Sequence, residues 1–219
     1  MRDYFNPNHP NPYDEFLESQ MQRRNAETQG EYQAKLSGDQ GELELSSVMR
    51  SLPDCYNVVD DVLLQTKKGS TQLDHIIVSP FGIFVVETKN HKGMIFGDCF
   101  GQVWTQVLPP KGRFKFYSPV KQNAGHIQHL SQQVQIPASY MTGVIVFTNP
   151  GANLDNVNCP FCFRVGDLYR YILSFQNRIF TDTQVEKVLS RIDKVDTNGY
   201  LNRRKHVNYV KGLKEKRGY

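Results

Sequence analysis

The spacing of apolar residues along the chain switches between the two-residue period of strands and the longer period of helices. Apolar and branched residues near 56–65, 72–79 and 82–89 predict three consecutive strands. The stretches 93–97 and 101–108 predict a further hairpin directly after them. The first half of the chain is therefore predicted to be rich in strands.

Helical spacing of apolar residues occurs on both sides of these strands. A helix is predicted from about Asp39 to Leu52. Its inward-facing residues are predicted to be Leu43, Val48, Met49 and Leu52. A second helix is predicted over Tyr117–Gln135, because Ser118-Pro119 is typical of a helix start.

The rest of the chain continues the alternation of strands and helices. Met141–Phe147 is rich in branched residues and predicts a buried strand. Residues 163–175 predict a short strand followed by a helix, and Asp182–Val195 predicts an amphipathic helix. The order of one helix, three strands, a second helix and another strand predicts an α/β domain.

The two ends of the chain differ in composition from its centre. Residues 1–38 are predicted to be a partly helical N-terminal extension with only a narrow apolar stripe. Its helix could dock on the domain, pair with a second copy to form a homodimer, or stand free. Residues 39–196 are assigned to the domain, whose motifs fall in about 39–150, and residues 197–219 to a basic C-terminal tail.

Length and composition indicate one folded domain without a membrane span. The chain has 219 residues, of which 39% are hydrophobic, and a formal net charge of +4. No apolar run approaches the roughly 20 residues that a spanning helix needs. The N-terminus lacks the apolar core of a signal peptide. A cytoplasmic protein with no membrane partner is therefore expected.

The cysteines form a poor disulfide framework for a chain of this length. Cys159 and Cys162 have the spacing of a redox or zinc pair, but no second pair accompanies them. Reduced thiols without a chemical role are expected, and a structural zinc ion is the alternative.

The hairpin over residues 72–89 carries charged groups at one end of otherwise apolar strands. Asp74 lies at the end of one strand, and Glu87 and Lys89 lie at the end of the other. Burying an unpaired charge is costly, so three such groups together predict a metal-dependent hydrolytic site. A salt-bridged sheet end is the alternative for each residue taken singly.

The turn of this hairpin determines which residues face each other. If Ser-Pro-Phe-Gly forms a type I turn, Val78 pairs with Ile83, and Asp74 lies directly opposite Glu87. Cross-strand partners have Cβ atoms roughly 5 Å apart. Two carboxylates at that distance repel each other, and a divalent cation between them removes the conflict.

A second register is compatible with the same turn residues. A glycine bulge would pair Ser79 with Ile83 and direct the two carboxylates to opposite faces of the sheet. In the first register Gln72 lies opposite Lys89, where it is either a site residue or an amide at the strand edge.

Several short motifs follow one another in order: Gly41-Glu42, Thr71–Val78, Gly82–Asn90, Gly93, Trp104 and Pro119–Asn123. Over about residues 39–150, this pattern resembles the nuclease-related domain (NERD) family, which is similar to the PD-(D/E)xK nucleases. The carboxylate-x-lysine signature of that superfamily is present as Glu87-Thr88-Lys89. Leu73 stands where the superfamily name has a proline before the first acid.

The resemblance implies a restriction-endonuclease-like αβββαβ core, with a mixed sheet flanked by helices. Helical extensions are expected at both ends of the chain, outside this core. It also implies a site for Mg²⁺ or Mn²⁺, because hard cations bind oxygen ligands. Asp74, Glu87 and the carbonyl oxygen of Thr88 are the implied metal ligands.

Further residues receive catalytic roles from the same resemblance. Lys89 would orient or deprotonate the attacking water, or stabilise the phosphate in the transition state. Glu42 would complete the acidic cluster, usually through a water molecule. Gln122 would position a phosphate or a water.

Other polar and aromatic residues are expected to have structural or surface positions. His75 is assigned to core packing, because it would lie on the face opposite Asp74. His126 and His129 are expected at the surface near the groove, since no acidic partner is apparent. Trp104 is expected to anchor the core.

Cations in two segments suit a nucleic-acid partner. The loop after the second hairpin interleaves cations with aromatics. Its cations are Lys111, Arg113 and Lys115. In the C-terminal tail they are Arg203, Arg204 and Lys205. The alternatives are an ordinary hairpin tip whose aromatics cover the core, and a solvated tail.

Together these patterns predict a metal-dependent endonuclease that hydrolyses DNA. Two other functions remain open. One is a nucleic-acid-binding module with a vestigial nuclease site, and the other is a scaffold that binds partners through its N-terminal helix and basic tail.

Overall fold

The structure, a computed structural model, describes residues 40–67 and 69–198. The chain divides into two units, Met1–Gln40 and Gly41–Tyr219, and nearly all described residues belong to the second. The predicted N-terminal helix and the basic residues of the tail lie outside the described residues.

Four α-helices and nine strands, with one short 3₁₀ helix at Ala138–Tyr140, make up the regular structure of the described residues. In chain order they are α1 (40–50), β1 (Asn57–Thr66), β2 (Gly69–Ser79), β3 (Gly82–Lys89), β4 (Gly93–Asp98), β5 (Val103–Leu108), β6 (Gly112–Tyr117), α2 (Pro119–Val134), β7 (Met141–Phe147), β8 (Ala152–Asn158), β9 (Cys162–Arg164), α3 (Val165–Leu173) and α4 (Asp182–Val195). The predicted αβββαβ order is confirmed as α1, β1–β3, α2 and β7, with β4–β6 inserted before α2. The fold is of the restriction-endonuclease-like α/β type.

The central sheet has the strand order β1-β2-β3-β7-β9. Strands β1, β2 and β3 are antiparallel neighbours, whereas β3, β7 and β9 run parallel. Lys89 pairs with Phe147 at the carboxyl ends of β3 and β7. The charged end of the hairpin therefore lies at the edge where the parallel strands end, a common place for active sites in α/β proteins.

Helices cover both faces of this sheet. The face that carries Val85 packs against Leu130 of α2 and Val188 of α4. The opposite face carries Phe84 and packs against α1 and against Leu168 of α3. Because successive side chains of a strand point to opposite faces, β3 contributes to both cores and is buried on both sides.

One predicted inward residue of α1 is wrong. Leu43 is 67% exposed, whereas Leu45 is fully buried and Met49 lies on the same helix face. Successive helix residues turn by about 100° around the axis, so Leu43 and Leu45 lie on opposite sides. Leu52, which follows the helix, is buried as predicted.

A second sheet, of order β6-β5-β4-β8, packs beside the parallel end of the first. Trp104 of β5 is fully buried there, as predicted, and its ring stacks on Phe147.

The segment treated as a loop in the sequence forms β6, which alternates cations with aromatics. Phe116 of β6 packs edge-on against Trp104, as expected for an aromatic that covers the core. Strand β8 was not predicted, because it is rich in asparagine.

Two of the cysteines are bonded to each other, so the prediction of bystander thiols is wrong for them. Cys99 and Cys159 form a disulfide, with Cα atoms 5.2 Å apart. Asp98 at the end of β4 pairs with Asn158 at the end of the parallel strand β8, so the next residue of each strand lies beside the other. Cys55 and Cys162 are free, and burial raises the pKa of the Cys162 thiol to about 12.

The segment after α4 hydrogen bonds to the outer edge of β1. Asp196 accepts from the Leu63 backbone N–H at 2.9 Å, and the Thr197 hydroxyl donates to the Leu63 carbonyl at 2.8 Å. The Asn198 side chain donates to the Asp61 carbonyl at 2.7 Å. Interactions with the sheet therefore continue through Asn198, the last described residue.

Candidate active site

The β2–β3 hairpin has the first of the two registers considered from the sequence. Val78 pairs with Ile83, and Ser79 pairs with Gly82. The Ser79 hydroxyl accepts from the Phe81 backbone N–H and donates to the Gly82 carbonyl, both at 3.2 Å, which stabilises the turn. The register with a bulge at the turn, which pairs Ser79 with Ile83, is wrong.

Asp74 lies where the backbone pairing of this hairpin stops. The last backbone pair is His75 with Val86. One residue further, the Asp74 carboxylate accepts two hydrogen bonds on Oδ2, from the backbone N–H and the hydroxyl of Thr88, both at 2.8 Å. A side-chain carboxylate thus takes the place of the next backbone interaction between the two strands.

The neighbouring strand β1 is also irregular at this level. Asp61 has a φ of 66°, which is the left-handed region, and lies between the paired residues Asp60 and Val62. The Gln72 amide donates to Asp61 Oδ1, and Gln72 pairs with Leu63 of β1. The β2–β3 pairing does not extend to Gln72, so its expected position opposite Lys89 is not part of a backbone ladder.

Glu87 is a buried carboxylate between two cationic or potentially cationic groups. Only 1% of the residue is exposed. Lys89 Nζ forms an ion pair with Oε1, and His126 Nδ1 lies 3.3 Å from Oε2. Burial opposes ionisation, but His126 and Lys89 outweigh it and hold the pKa of Glu87 below its ordinary value.

Asp74 has the opposite shift. Burial raises the pKa of Asp74, and the negative charge of Glu87 raises it further. The two hydrogen bonds from Thr88 and the charge of Lys89 oppose this rise without cancelling it. The two carboxylates therefore interact electrostatically and have pKa values displaced in opposite directions, a common property of functional sites.

Glu42 is held near these groups by a close contact of α1. A Cβ atom added to Gly41 would lie 2.2 Å from the carbonyl oxygen of Thr148, so only glycine allows the helix to begin there. The Thr148 backbone N–H in turn donates to the Lys89 carbonyl at 3.1 Å. Partial burial raises the pKa of Glu42; the charge of His75 opposes the rise, and that of Asp74 adds to it.

Helix α2 contributes two side chains on this side of the sheet. Gln122 is half-buried in the first turn, four residues before His126, so both lie on one helix face. His126 is 6% exposed, and its acidic partner is Glu87. The expectation that His126 lies at the surface is wrong. Its contact with Glu87 depends on how α2 packs on β3, which the spacing of residues in the sequence does not show.

His75 of β2 is largely buried, as its assignment to core packing requires. The His75 side chain is 12% exposed, and its Nδ1 lies 2.7 Å from Asp60 Oδ1. It therefore pairs with an exposed acid of β1 instead of packing only among apolar groups.

The cations of the β5–β6 hairpin are exposed: Lys111, Arg113 and Lys115. Arg113 and Lys115 share one face of β6, and Phe116 points to the other. Phe116 contacts the ring of His91, with centroids 4.3 Å apart, and His91 follows Lys89 by two residues. The hairpin therefore packs directly against the chain that leaves the candidate site.

The described residues do not contain a group of three or more His, Cys, Asp or Glu side chains arranged to hold a metal ion. Within the described part of the chain, neither Cys162 nor the carboxylates of the candidate site belong to such a group. A metal at the candidate site would therefore depend on two carboxylates together with backbone or water oxygens.

The family model of the nuclease-related domain matches residues 37–148. The chain belongs to this family. An uncharacterized protein of Bacillus anthracis is 30% identical over 184 residues, which are 80% of this chain and 84% of that protein. No solved structure matches the chain. Among the described residues, no helix is long and apolar enough to cross a membrane.

Proposed function

We propose that this NERD protein is a metal-dependent endonuclease that hydrolyses phosphodiester bonds of DNA. The observation that carries the proposal is the pair of Asp74 and Glu87 at the carboxyl end of β3. Both carboxylates interact electrostatically, and Glu87 is almost fully buried. A buried acidic pair of this kind suits a divalent cation, either Mg²⁺ or Mn²⁺.

The carboxylate oxygens at the site fit such an ion. Glu87 Oε2 is buried and makes no hydrogen bond within the described structure. Both hydrogen bonds from Thr88 to Asp74 end on Oδ2. Hard divalent cations prefer oxygen ligands of this type, so the donor set suits magnesium or manganese better than zinc.

The backbone carbonyl of Thr88 is the proposed third ligand. The N–H and C=O groups of one strand residue point to the same side of the strand. The Thr88 N–H points toward Asp74, whereas the Lys89 carbonyl points toward β7 and accepts from Thr148. The Thr88 carbonyl therefore lies on the Asp74 side of β3, away from the β7 ladder.

A bound divalent ion would lower the pKa of its water and neutralise charge on the phosphate. Among the described residues, Lys89 is a cation placed to act on the same groups, because Nζ already contacts the Glu87 carboxylate. We assign to it the orientation of the attacking water or the stabilisation of the phosphate. Glu42 would hold a water beside Asp74, and Gln122 would orient a water or a phosphate from α2.

The proposed DNA-binding residues are the exposed cations of the β5–β6 hairpin, together with Gln72 of β2, beyond the end of its pairing with β3. Lys111, Arg113 and Lys115 would contact phosphates, and aromatic side chains of β6 could stack on bases. The tail residues Arg203, Arg204 and Lys205 would extend this contact from outside the described residues. A homodimer through the N-terminal extension is a further part of this proposal.

One observation favours a second candidate function, a nucleic-acid-binding module without turnover. Glu87 already has a cationic partner in Lys89 and a histidine in contact. A carboxylate whose charge is balanced by the protein has less need of a metal ion. The two candidates therefore differ in whether a divalent ion displaces this internal pairing.

Nicking of supercoiled plasmid distinguishes the two functions. The enzyme should convert plasmid in Mg²⁺ or Mn²⁺ and stop when EDTA is added. Glu87→Gln, which keeps the shape of the side chain, should lose the activity. Glu44→Gln, at an exposed acid of α1, is the matched control and should remain active. Nicking that survives Glu87→Gln would contradict the assignment, and DNA binding without nicking would support the second function.

A further inference from the structure

His126 is a buried ionisable residue of α2, and it faces the innermost carboxylate of the site. His126 Nδ1 and Glu87 Oε2 lie 3.3 Å apart, and neither atom forms a well-aligned hydrogen bond with any described group. Buried polar atoms that lack a well-aligned hydrogen bond are costly. Their proximity means that a small movement of either side chain would satisfy both.

The position of α2 over β3 is set by a nearby polar clamp. The Asn123 amide, one turn before His126, donates to the carbonyl of Val85 at 2.8 Å and to that of Val144 at 3.2 Å. These carbonyls belong to the adjacent strands β3 and β7. A Cβ atom on Gly143 would lie 3.2 Å from the Asn123 amide nitrogen, so the glycine permits this close approach.

The clamp and the histidine lie three residues apart on one face of the helix. Asn123 contacts β3 at Val85, two residues before Glu87 and on the same strand. The clamp therefore fixes the helix at a point from which the His126 side chain reaches Oε2. The two hydrogen bonds of the amide add directional contacts to the apolar packing of α2 and so help to hold the helix at one register.

We propose that His126 is a positioning residue of the metal site: its Nδ1–H donates to Glu87 Oε2 and holds the carboxylate in the orientation that a divalent cation requires. Each carboxylate oxygen has two acceptor directions, so this bond leaves one direction on Oε2 for the metal. Hydrogen bonds in ligand-free sites are often long or misaligned and tighten when the site is filled. The inference rests on the proposed metal site at Asp74 and Glu87.

The test is the affinity of the full chain for Mn²⁺, measured by calorimetry without DNA. His126→Asn keeps an N–H donor near the position of Nδ1 and should bind nearly as tightly as the wild type. His126→Gln, which moves the donor, and His126→Phe, which removes it, should lose about 10- to 100-fold, as is typical for residues that orient metal ligands. His129→Phe, on the same helix and half-buried, is the control and should bind normally.

A double-mutant cycle in urea gives a readout without any metal. The effects of His126→Phe and Glu87→Gln on unfolding should be non-additive if the two side chains interact. One outcome would overturn the role of His126 but not the metal site: Glu87→Ala loses Mn²⁺ binding, whereas His126→Gln and His126→Phe both bind Mn²⁺ as tightly as the wild type. Unchanged binding in Glu87→Ala would instead overturn the metal site and this inference with it.

Discussion

The Asp74 carboxylate is joined to Thr88 by two hydrogen bonds of 2.8 Å, one from the backbone N–H and one from the side-chain hydroxyl. Asp74 lies directly beyond the last backbone pair of β2 and β3. Thr88 of β3 would otherwise form the next backbone hydrogen bonds of the ladder. Its N–H binds the Asp74 carboxylate instead. This arrangement fixes a charged group at the edge of the sheet without a helix or loop to position it.

Replacement of Thr88 by valine tests how much the hydroxyl contributes. Thr88→Val keeps the backbone hydrogen bond and the side-chain shape but removes the Oγ1 donor. Hydrogen bonds to charged groups contribute about 1.5–3 kcal/mol, so Mn²⁺ affinity should fall roughly 10-fold or more if Asp74 is a ligand. Thr88→Ser retains the hydroxyl and should bind nearly as the wild type does. Equal affinity in the valine and serine variants would show that the hydroxyl does not orient Asp74.

Lys89 is expected to separate metal binding from turnover. Lys89→Met removes the cation that pairs with Glu87 Oε1 but keeps an unbranched chain of similar length. Mn²⁺ affinity should remain or rise, because a competing internal cation is gone. Plasmid nicking should fall roughly 100-fold or more if Lys89 stabilises charge in the transition state. Undiminished nicking would remove Lys89 from the proposed mechanism.

The local part of the site follows from the sequence because a hairpin brings near neighbours together. The turn residues restrict the hairpin to two registers, and the one that the structure has places Asp74 level with Glu87. The contact of His126 with Glu87 has no such local signal, since it depends on how α2 sits on β3 and β7. The Cys99–Cys159 bond is similarly non-local, because it requires the unpredicted pairing of β4 with β8.

Gly41 shows the same limit for a backbone contact. The sequence shows Gly41 as part of a motif. It does not show why glycine is needed there, which is the close contact with the backbone carbonyl of Thr148. Gly41→Ala should push α1 away from β7 and destabilise the protein by about 1–3 kcal/mol, as overpacking generally does. Gly125→Ala is the control: a Cβ there meets nothing within 4 Å, and alanine should stabilise α2 by about 0.5–1 kcal/mol. Urea unfolding of both variants measures the difference, and similar effects would contradict the close contact.

His91 is expected to make stability depend on pH. Burial, and next the charge of Lys89, lower its pKa from 6.5 to about 4, although a hydrogen bond with Gln106 opposes the shift. Between these values the unfolded chain binds more protons than the folded one, so stability falls as the pH decreases below 6.5 and levels off below about 4. His91→Phe should flatten this part of the profile relative to the wild type in urea unfolding at several pH values. Identical profiles would show that His91 is not held neutral.

Salt dependence can separate the two groups of cations proposed to bind DNA. The double variant Arg113→Gln and Lys115→Gln removes two exposed charges from β6 without disturbing a buried side chain, so the melting temperature should not change. If both residues bind phosphates, the negative slope of log K against log salt should become shallower by about 0.9 for each phosphate that the variant no longer neutralises. Fluorescence anisotropy with one duplex at several salt concentrations gives this slope.

The same measurement on a truncated chain tests the tail. The truncation must retain Asn198, because residues 196–198 hydrogen bond to β1 and their removal would destabilise the sheet. Removal of the chain after Asn198 should then make the negative slope shallower if Arg203, Arg204 and Lys205 contact phosphates. Lys187→Gln, at an exposed lysine of α4, is the control for removal of one surface charge. A slope that the truncation leaves unchanged, together with a shallower slope in the β6 variant, would assign DNA binding to the hairpin alone.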